Sequence, residues 1–113
     1  MKQQVCHLSE LTPFQGCGAW IGDQQAALFY LPGDEPHVYA LQNWDPIGKA
    51  YVMARGIVGD VKGEPCVASP LYKQHFSLLT GQCVEKQDVA LKTWRVLVEE
   101  GQVYVLLSET ALA

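Results

Sequence analysis

The side chains of this sequence best suited to hold a metal or attack an electrophile are four cysteines and three histidines: Cys6, Cys17, Cys66, Cys83, His7, His37 and His75. Their spacing fits no compact ligand set. No Cys-x-x-Cys occurs, and adjacent Cys6 and His7 point to opposite sides of any strand they occupy. Only the fold could assemble Cys66, His75 and Cys83 into a metal site, and buried or incidental side chains are the simpler reading. There is no Gly-x-Ser-x-Gly elbow, no phosphate-cradling glycine loop ahead of a helix and no His-Glu-x-x-His. The three histidines fall on different elements, so no histidine acid or base is assembled locally. His75, beside Phe76, reads as a solvent-side strand residue. The carboxylate pairs Asp34-Glu35 and Glu99-Glu100 lie in turns, where solvation is the default. Trp20 and Trp94 are core candidates. Trp44 is expected at the surface, because it adjoins the loop Asn43-Trp44-Asp45-Pro46-Ile47-Gly48-Lys49.

The elements that must position these residues are short strands. Gly18–Ile21 and Ala26–Leu31 flank Gly22-Asp23-Gln24-Gln25 as a hairpin, and Pro32-Gly33-Asp34-Glu35-Pro36 then breaks the chain. His37–Leu41 alternates as a strand, and Ile57-Val58 leads through residues 60–64 to Pro65–Ala68 as a second hairpin. Thr93–Val98 and Val103–Leu107 surround Glu99-Glu100-Gly101-Gln102 as a third. Ser9-Glu10-Leu11 and the tail 108–113 each suit at most a helical turn. Gly48, Gly56 and Gly81 are expected at turns that need positive φ. Short strands punctuated by Gly and Pro indicate an all-β sandwich or partly open barrel with little helix, in one domain spanning 1–113.

Composition narrows the function classes. The chain has 113 residues, 49% of them hydrophobic, with a net charge of −4, a poor balance for neutralising a phosphate backbone. Nucleic-acid binding is not expected. No apolar run approaches the roughly 20 residues that a membrane-spanning helix needs, so no membrane role is expected either. One cation near the N-terminus is followed by no continuous apolar core, and without an export signal the cysteines are expected as free thiols in a reducing, cytoplasmic compartment.

The informative segment is Ser69-Pro70-Leu71-Tyr72-Lys73-Gln74-His75-Phe76-Ser77-Leu78-Leu79-Thr80-Gly81. It resembles the second loop of a Rieske domain, where Cys-Pro-x-His precedes a strand of the form Phe-Asp-Leu and a Thr-Gly turn; Pro70, Phe76, Leu78, Thr80 and Gly81 match. Asp45-Pro46-Ile47 resembles the first loop, Cys-Pro-His. The resemblance implies a Rieske-like sandwich of short antiparallel sheets. It also implies a two-iron cluster held by two Cys and two His, but the four matching positions are Asp45, Ile47, Ser69 and Tyr72. Ile47 has no lone pair, and Asp, Ser and Tyr offer hard oxygens where soft thiolate and imidazole are needed.

Asn43, Asp45 and Pro46, then Arg55-Gly56, then Ser69-Pro70-Leu71 with Lys73, Gln74 and Phe76, then Gly81 and Cys83 form an ordered series over about residues 5–107. That series is similar to the small subunit of cytoplasmic NAD(P)H-dependent nitrite reductases, in the branch that lacks the cluster. The resemblance implies an oxidoreductase subunit without cofactors of its own, inactive alone. It would serve a large catalytic subunit that carries FAD, an iron–sulfur cluster and sirohaem and reduces nitrite to ammonium in nitrate assimilation.

Loops 43–49 and 69–75 are expected side by side. In one reading Trp44, Ile47, Leu71 and Tyr72 anchor a partner, with Lys49 and Lys73 as orienting charges at the rim. In the other, Ile47 and Leu71 plug the emptied pocket and Tyr72 packs across it. Outside this family the alternatives are a free-standing protein-binding module on a degenerate Rieske fold, or a metalloprotein using Cys and His.

Overall fold

The computed structural model describes residues 2–32 and 37–106; the expectations for Asp34-Glu35 and the tail 108–113 lie outside these residues. Among the described residues there are twelve strands: β1 (Lys2–His7), β2 (Gly16–Ile21), β3 (Gln24–Leu31), β4 (His37–Gln42), β5 (Trp44–Asp45), β6 (Ala50–Tyr51), β7 (Ile57–Val61), β8 (Glu64–Ala68), β9 (His75–Ser77), β10 (Thr93–Trp94), β11 (Val96–Glu99) and β12 (Gln102–Leu106). Helix is confined, among the described residues, to two 3-10 turns, Leu8–Glu10 and Met53–Arg55. The fold is all-β.

Layering follows from β3. Ala26, Ala27, Leu28 and Phe29 are each completely buried, which a strand achieves only when both faces of its sheet are covered. Ala26 and Leu28 join a core with Ile21, Val38, Ala40, Trp94, Val103 and Val105, under the sheet β1-β12-β11. Ala27 and Phe29 face the opposite way, into a core with Leu41, Met53, Val67, Phe76, Leu78, Cys83 and Leu91, under the sheet β7-β8-β9. The sheet β10-β4-β3-β2 lies between them. Burying each of the larger side chains contributes about 1.5–3 kcal/mol.

The three hairpins form with tighter turns than their sequences suggest. Gly22-Asp23 alone joins β2 to β3, since Ile21 already pairs with Gln24. Lys62-Gly63 (φ 53° and 86°) and Glu100-Gly101 (φ 52° and 82°) are two-residue turns whose positive φ values match the right-handed twist of the flanking strands. Two expectations are corrected, and one strand not read from the sequence is added. Thr93–Val98 is two strands: Thr93-Trp94 pairs with Leu41 and Ala40, whereas Val96 pairs with Val105 in another sheet, the chain changing sheets at exposed Arg95. Lys2–His7, too polar to stand out, is a strand because Leu106–Gln102 supplies its pairing partner from the far end of the chain. Trp20 is 61% exposed, since Cys17, Ala19 and Ile21 take the inward positions of edge strand β2 and leave Gly18 and Trp20 outside.

Candidate functional site: two stapled loops and an aromatic cleft

Loops 45–49 and 69–73 have the same build. Each begins X-Pro-aliphatic and ends in lysine, and in each the lysine N–H donates to the carbonyl four residues back: Lys49 to Asp45 (2.6 Å) and Lys73 to Ser69 (3.0 Å). Both lysines are left-handed, with φ 59° and 63°. For a residue with a Cβ that conformation costs roughly 1–2 kcal/mol. In each loop the first side chain accepts the N–H two residues on, Asp45 Oδ1 from Ile47 (2.8 Å) and Ser69 Oγ from Leu71 (3.3 Å), and Asp45 Oδ1 also accepts from Gly48 (3.0 Å).

The two loops are fastened together at their first residues. The Ser69 hydroxyl donates to Asp45 Oδ2, with both residues 1% exposed. Above this hydrogen bond Leu71 lies on Gly48, so closely that a Cβ on Gly48 would fall 2.4 Å from Leu71 Cδ1 and 3.0 Å from Asp45 Oδ2. Close approach, not positive φ, is what favours glycine here: a Cβ would crowd the stapled Asp45 Oδ2 and push the half-exposed Leu71 side chain aside. The same correction applies to Gly56 (φ −72°), pressed against Ala68 O, while Gly81 does have the expected positive φ of 82°. Behind the loop, buried Asn43 accepts the Ala54 N–H at 2.7 Å through its side chain and donates to Gln25 Oε1 at 3.3 Å, tying β5 to the turn 53–55 and to β3.

The expected site residues fall into three groups. Ile47 is half-buried and packs against the second core. Leu71 and Tyr72 are exposed (46% and 65%), and Lys49 and Lys73 stand exposed at the ends of the same loops. Tyr72 projects outward and does not pack across the pocket. Trp44 is half-buried and points away from the staple, because adjacent Trp44 and Asp45 occupy opposite faces of β5. Its ring meets the edge of Tyr51, its cross-strand partner, at 4.9 Å and 61°. With Trp20 these rings line a cleft of about 350 Å³. Sequence reasoning missed Trp20 and Tyr51; the alternation of β2, with Gly18 and Trp20 on one side, carried the signal for the first.

A two-iron cluster does not fit this donor set. Asp45 and Ser69 are committed to each other and to backbone N–H groups, Ile47 is packed on the core, and Tyr72 points to solvent. Nor do Cys66, His75 and Cys83 converge: among the described residues no three His, Cys, Asp or Glu side chains are grouped as metal ligands. His75 instead engages Glu85, through its ring at 2.7 Å and its N–H at 2.8 Å. Partial burial pushes the Glu85 carboxyl up, but these two hydrogen bonds outweigh it and hold the group below its ordinary value. Burial, reinforced by nearby Glu64, pushes the Cys66 thiol up and keeps it protonated. No helix among the described residues is long and apolar enough to cross a membrane.

Comparison with known proteins identifies the fold and the family. Residues 2–106 match the Rieske-like [2Fe-2S] domain. The nitrite reductase (NADH) small subunit of Escherichia coli K12 is 36% identical over 101 residues, covering 89% of this chain and 93% of that one. The chain belongs to this family of Rieske-like nitrite reductase small subunits. A crystal structure provisionally named as an NADPH nitrite reductase small-subunit oxidoreductase protein superposes with a TM-score of 0.90 at 58% identity, covering 95% of this chain and 99% of that one. The nitrite reductase NAD(P)H large subunit of Klebsiella oxytoca contains a stretch 44% identical over 103 residues; the chain covers 91% of its own length there and spans about 10% of that protein.

Proposed function

We propose that the chain is the accessory small subunit of an NAD(P)H-dependent nitrite reductase in the cytoplasm, docking on a large subunit that carries the flavin, iron–sulfur and sirohaem centres and reduces nitrite to ammonium. The observation that carries this reading is the Klebsiella protein, in which a large subunit and a stretch resembling this chain share one polypeptide. A covalent link raises the effective concentration of one domain at the other to the millimolar range, which matters only if the two touch. The loop geometry supports a role by contact. With no cluster to pass electrons, the loops keep a fixed shape through the Asp45–Ser69 hydrogen bond and present Leu71 and Tyr72 between two lysines. Exposed aromatic and aliphatic anchors ringed by charge are what a partner's docking surface recognises.

The test is nitrite-dependent NAD(P)H oxidation by the purified large subunit, titrated with this chain. Turnover should rise and saturate on addition of the chain, and the chain alone should consume neither NAD(P)H nor nitrite. Full activity of the large subunit without the chain, or activity of the chain alone, would sink the reading. In the same titration Tyr72→Ala should weaken binding roughly thirtyfold, as loss of a central aromatic anchor does. Lys73→Glu should chiefly slow association.

A further inference from the structure

The cleft beside Trp20 is a built surface. Trp20, Trp44 and Tyr51 form its aromatic walls, and Asp23, Gln24, Gln25 and Gln42 complete it. Trp20 and Tyr51 are 61% and 56% exposed, a large apolar area for the outside of a chain this small. The strand end that carries Trp20 is pinned: the Gln3 side chain donates to the Trp20 carbonyl (3.1 Å) and accepts from the Gly22 N–H (3.2 Å). On its far side Trp20 borders a second hollow of about 270 Å³ that runs over Gly18 and Asn43. A Cβ on Gly18 would meet nothing within 4 Å, and its φ lies outside the left-handed region, so neither backbone shape nor crowding requires glycine there. The missing side chain leaves the strip beside Trp20 bare.

Charge selects the occupant. Among the described residues Asp23 is the one charged side chain on the cleft and no cation lines it; Gln24 adds an amide, while the Gln25 and Gln42 oxygens already accept from Asn43 and from the Lys92 N–H. Aromatic faces attract cations, and a planar guanidinium both stacks on indole and directs its N–H fork at carboxylate and amide oxygens. We propose that this cleft receives an arginine side chain of the large subunit, with the backbone of that partner segment lying over the bare strip at Gly18. The inference rests on the partnership proposed above and adds a second contact region to it: Trp44 faces the cleft and its neighbour Asp45, on the opposite face of β5, holds the loop staple.

Equilibrium binding to the large subunit at low and high salt tests it. Trp20→Ala should weaken binding on the order of thirtyfold. Gly18→Ile places a β-favouring side chain where there is space, so its melting temperature should hold or rise while binding falls tenfold or more. Asp23→Lys should weaken binding more than Asp23→Asn and reduce its salt dependence. Wild-type affinity in both Trp20→Ala and Gly18→Ile would overturn the proposal, as would tighter binding by Asp23→Lys, which would mean an acidic occupant. A wild-type chain that fails to bind the large subunit at all refutes the partnership itself, an outcome distinct from binding that ignores the cleft.

Discussion

Removing the hydroxyl that staples the two loops should cost more stability than any surface substitution of similar size. In Ser69→Ala, Asp45 loses one of three hydrogen bonds, the others being the N–H groups of Ile47 and Gly48, and its Oδ2 is left at a position almost without solvent exposure. A hydrogen bond to a charged group contributes about 1.5–3 kcal/mol, and the stranded buried oxygen adds to the loss. With the Leu71 N–H also released, the expected cost is about 2–4 kcal/mol. At roughly 4 °C per kcal/mol for a domain of this length, the melting temperature should fall by roughly 8–16 °C. Asp45→Asn is the informative control: its oxygen still accepts from both backbone N–H groups and its amide can donate to the Ser69 oxygen, but the bonds lose their charge and the Ser69 O–H loses its acceptor, so the loss should be about 1–2 kcal/mol, short of Asp45→Ala. Asp45→Ala strands three donors and should cost roughly 3–5 kcal/mol. Urea denaturation and melting curves on the three variants give these values. A Ser69→Ala protein that melts within about 2 °C of wild type, or an Asp45→Asn protein as unstable as Asp45→Ala, would refute the staple.

Lys73→Gly relieves a left-handed lysine by roughly 1–2 kcal/mol against an entropic cost to the unfolded chain of roughly 0.5–1 kcal/mol. Its melting temperature should therefore hold or rise while association with the large subunit slows, and a clear fall in melting temperature would contradict the assignment. Gly48→Ala displaces the exposed Leu71 side chain and crowds Asp45 Oδ2, and should destabilise by about 1 kcal/mol, checked by urea denaturation. Glu85 has a folded pKa below its ordinary value of 4.5, so the unfolded chain binds the extra proton and the carboxyl's contribution, complete above that value, is lost as pH falls through the folded pKa. Melting temperatures measured from pH 6 down to pH 3 should fall less steeply in Glu85→Gln than in wild type; parallel curves would remove the pair from the acid response. The purified chain should be colourless, with no near-stoichiometric iron or acid-labile sulfide, and a visible charge-transfer spectrum after anaerobic reconstitution would overturn the assignment of the loops.

What the sequence made legible was local. The hairpins at Lys62-Gly63 and Glu100-Gly101 were legible because a turn glycine separates two apolar runs, although their two-residue length was not, lysine and glutamate also taking positive φ there. The mismatch of Ile47 with a cluster is equally local, since a side chain without a lone pair cannot ligate wherever the fold carries it. β1 was illegible because its six residues are mostly polar and its partner strand begins at Gln102. The division of Thr93–Val98 between two sheets was hidden because both halves are apolar and only Arg95 marks the change. The staple is partly of this second kind: the resemblance sets loops 43–49 and 69–75 side by side, but the hydrogen bond between Asp45 and Ser69, 24 residues apart, is visible only in the fold.

The staple also accounts for how such loops persist without iron. A cluster held by two residues from each loop would cross-link them, and its loss would leave two exposed turns free to part. Here that cross-link is replaced by a buried hydrogen bond and by Leu71 seated on Gly48, with Ile47 anchoring the first loop to the core. A hydrogen bond carries no electrons, so in the function proposed above these loops would act through shape and contact. Lys49 and Lys73 fit that account. The equivalent turn at Ser77–Gly81, closed by the same carbonyl-to-N–H bond four residues on (2.8 Å), uses glycine at φ 82° and avoids the strain. Lysine at the two loop ends therefore keeps a cost that glycine would remove. Under the docking role proposed above, a charge held at a strained loop end beside exposed Leu71 and Tyr72 would form the rim of the contact.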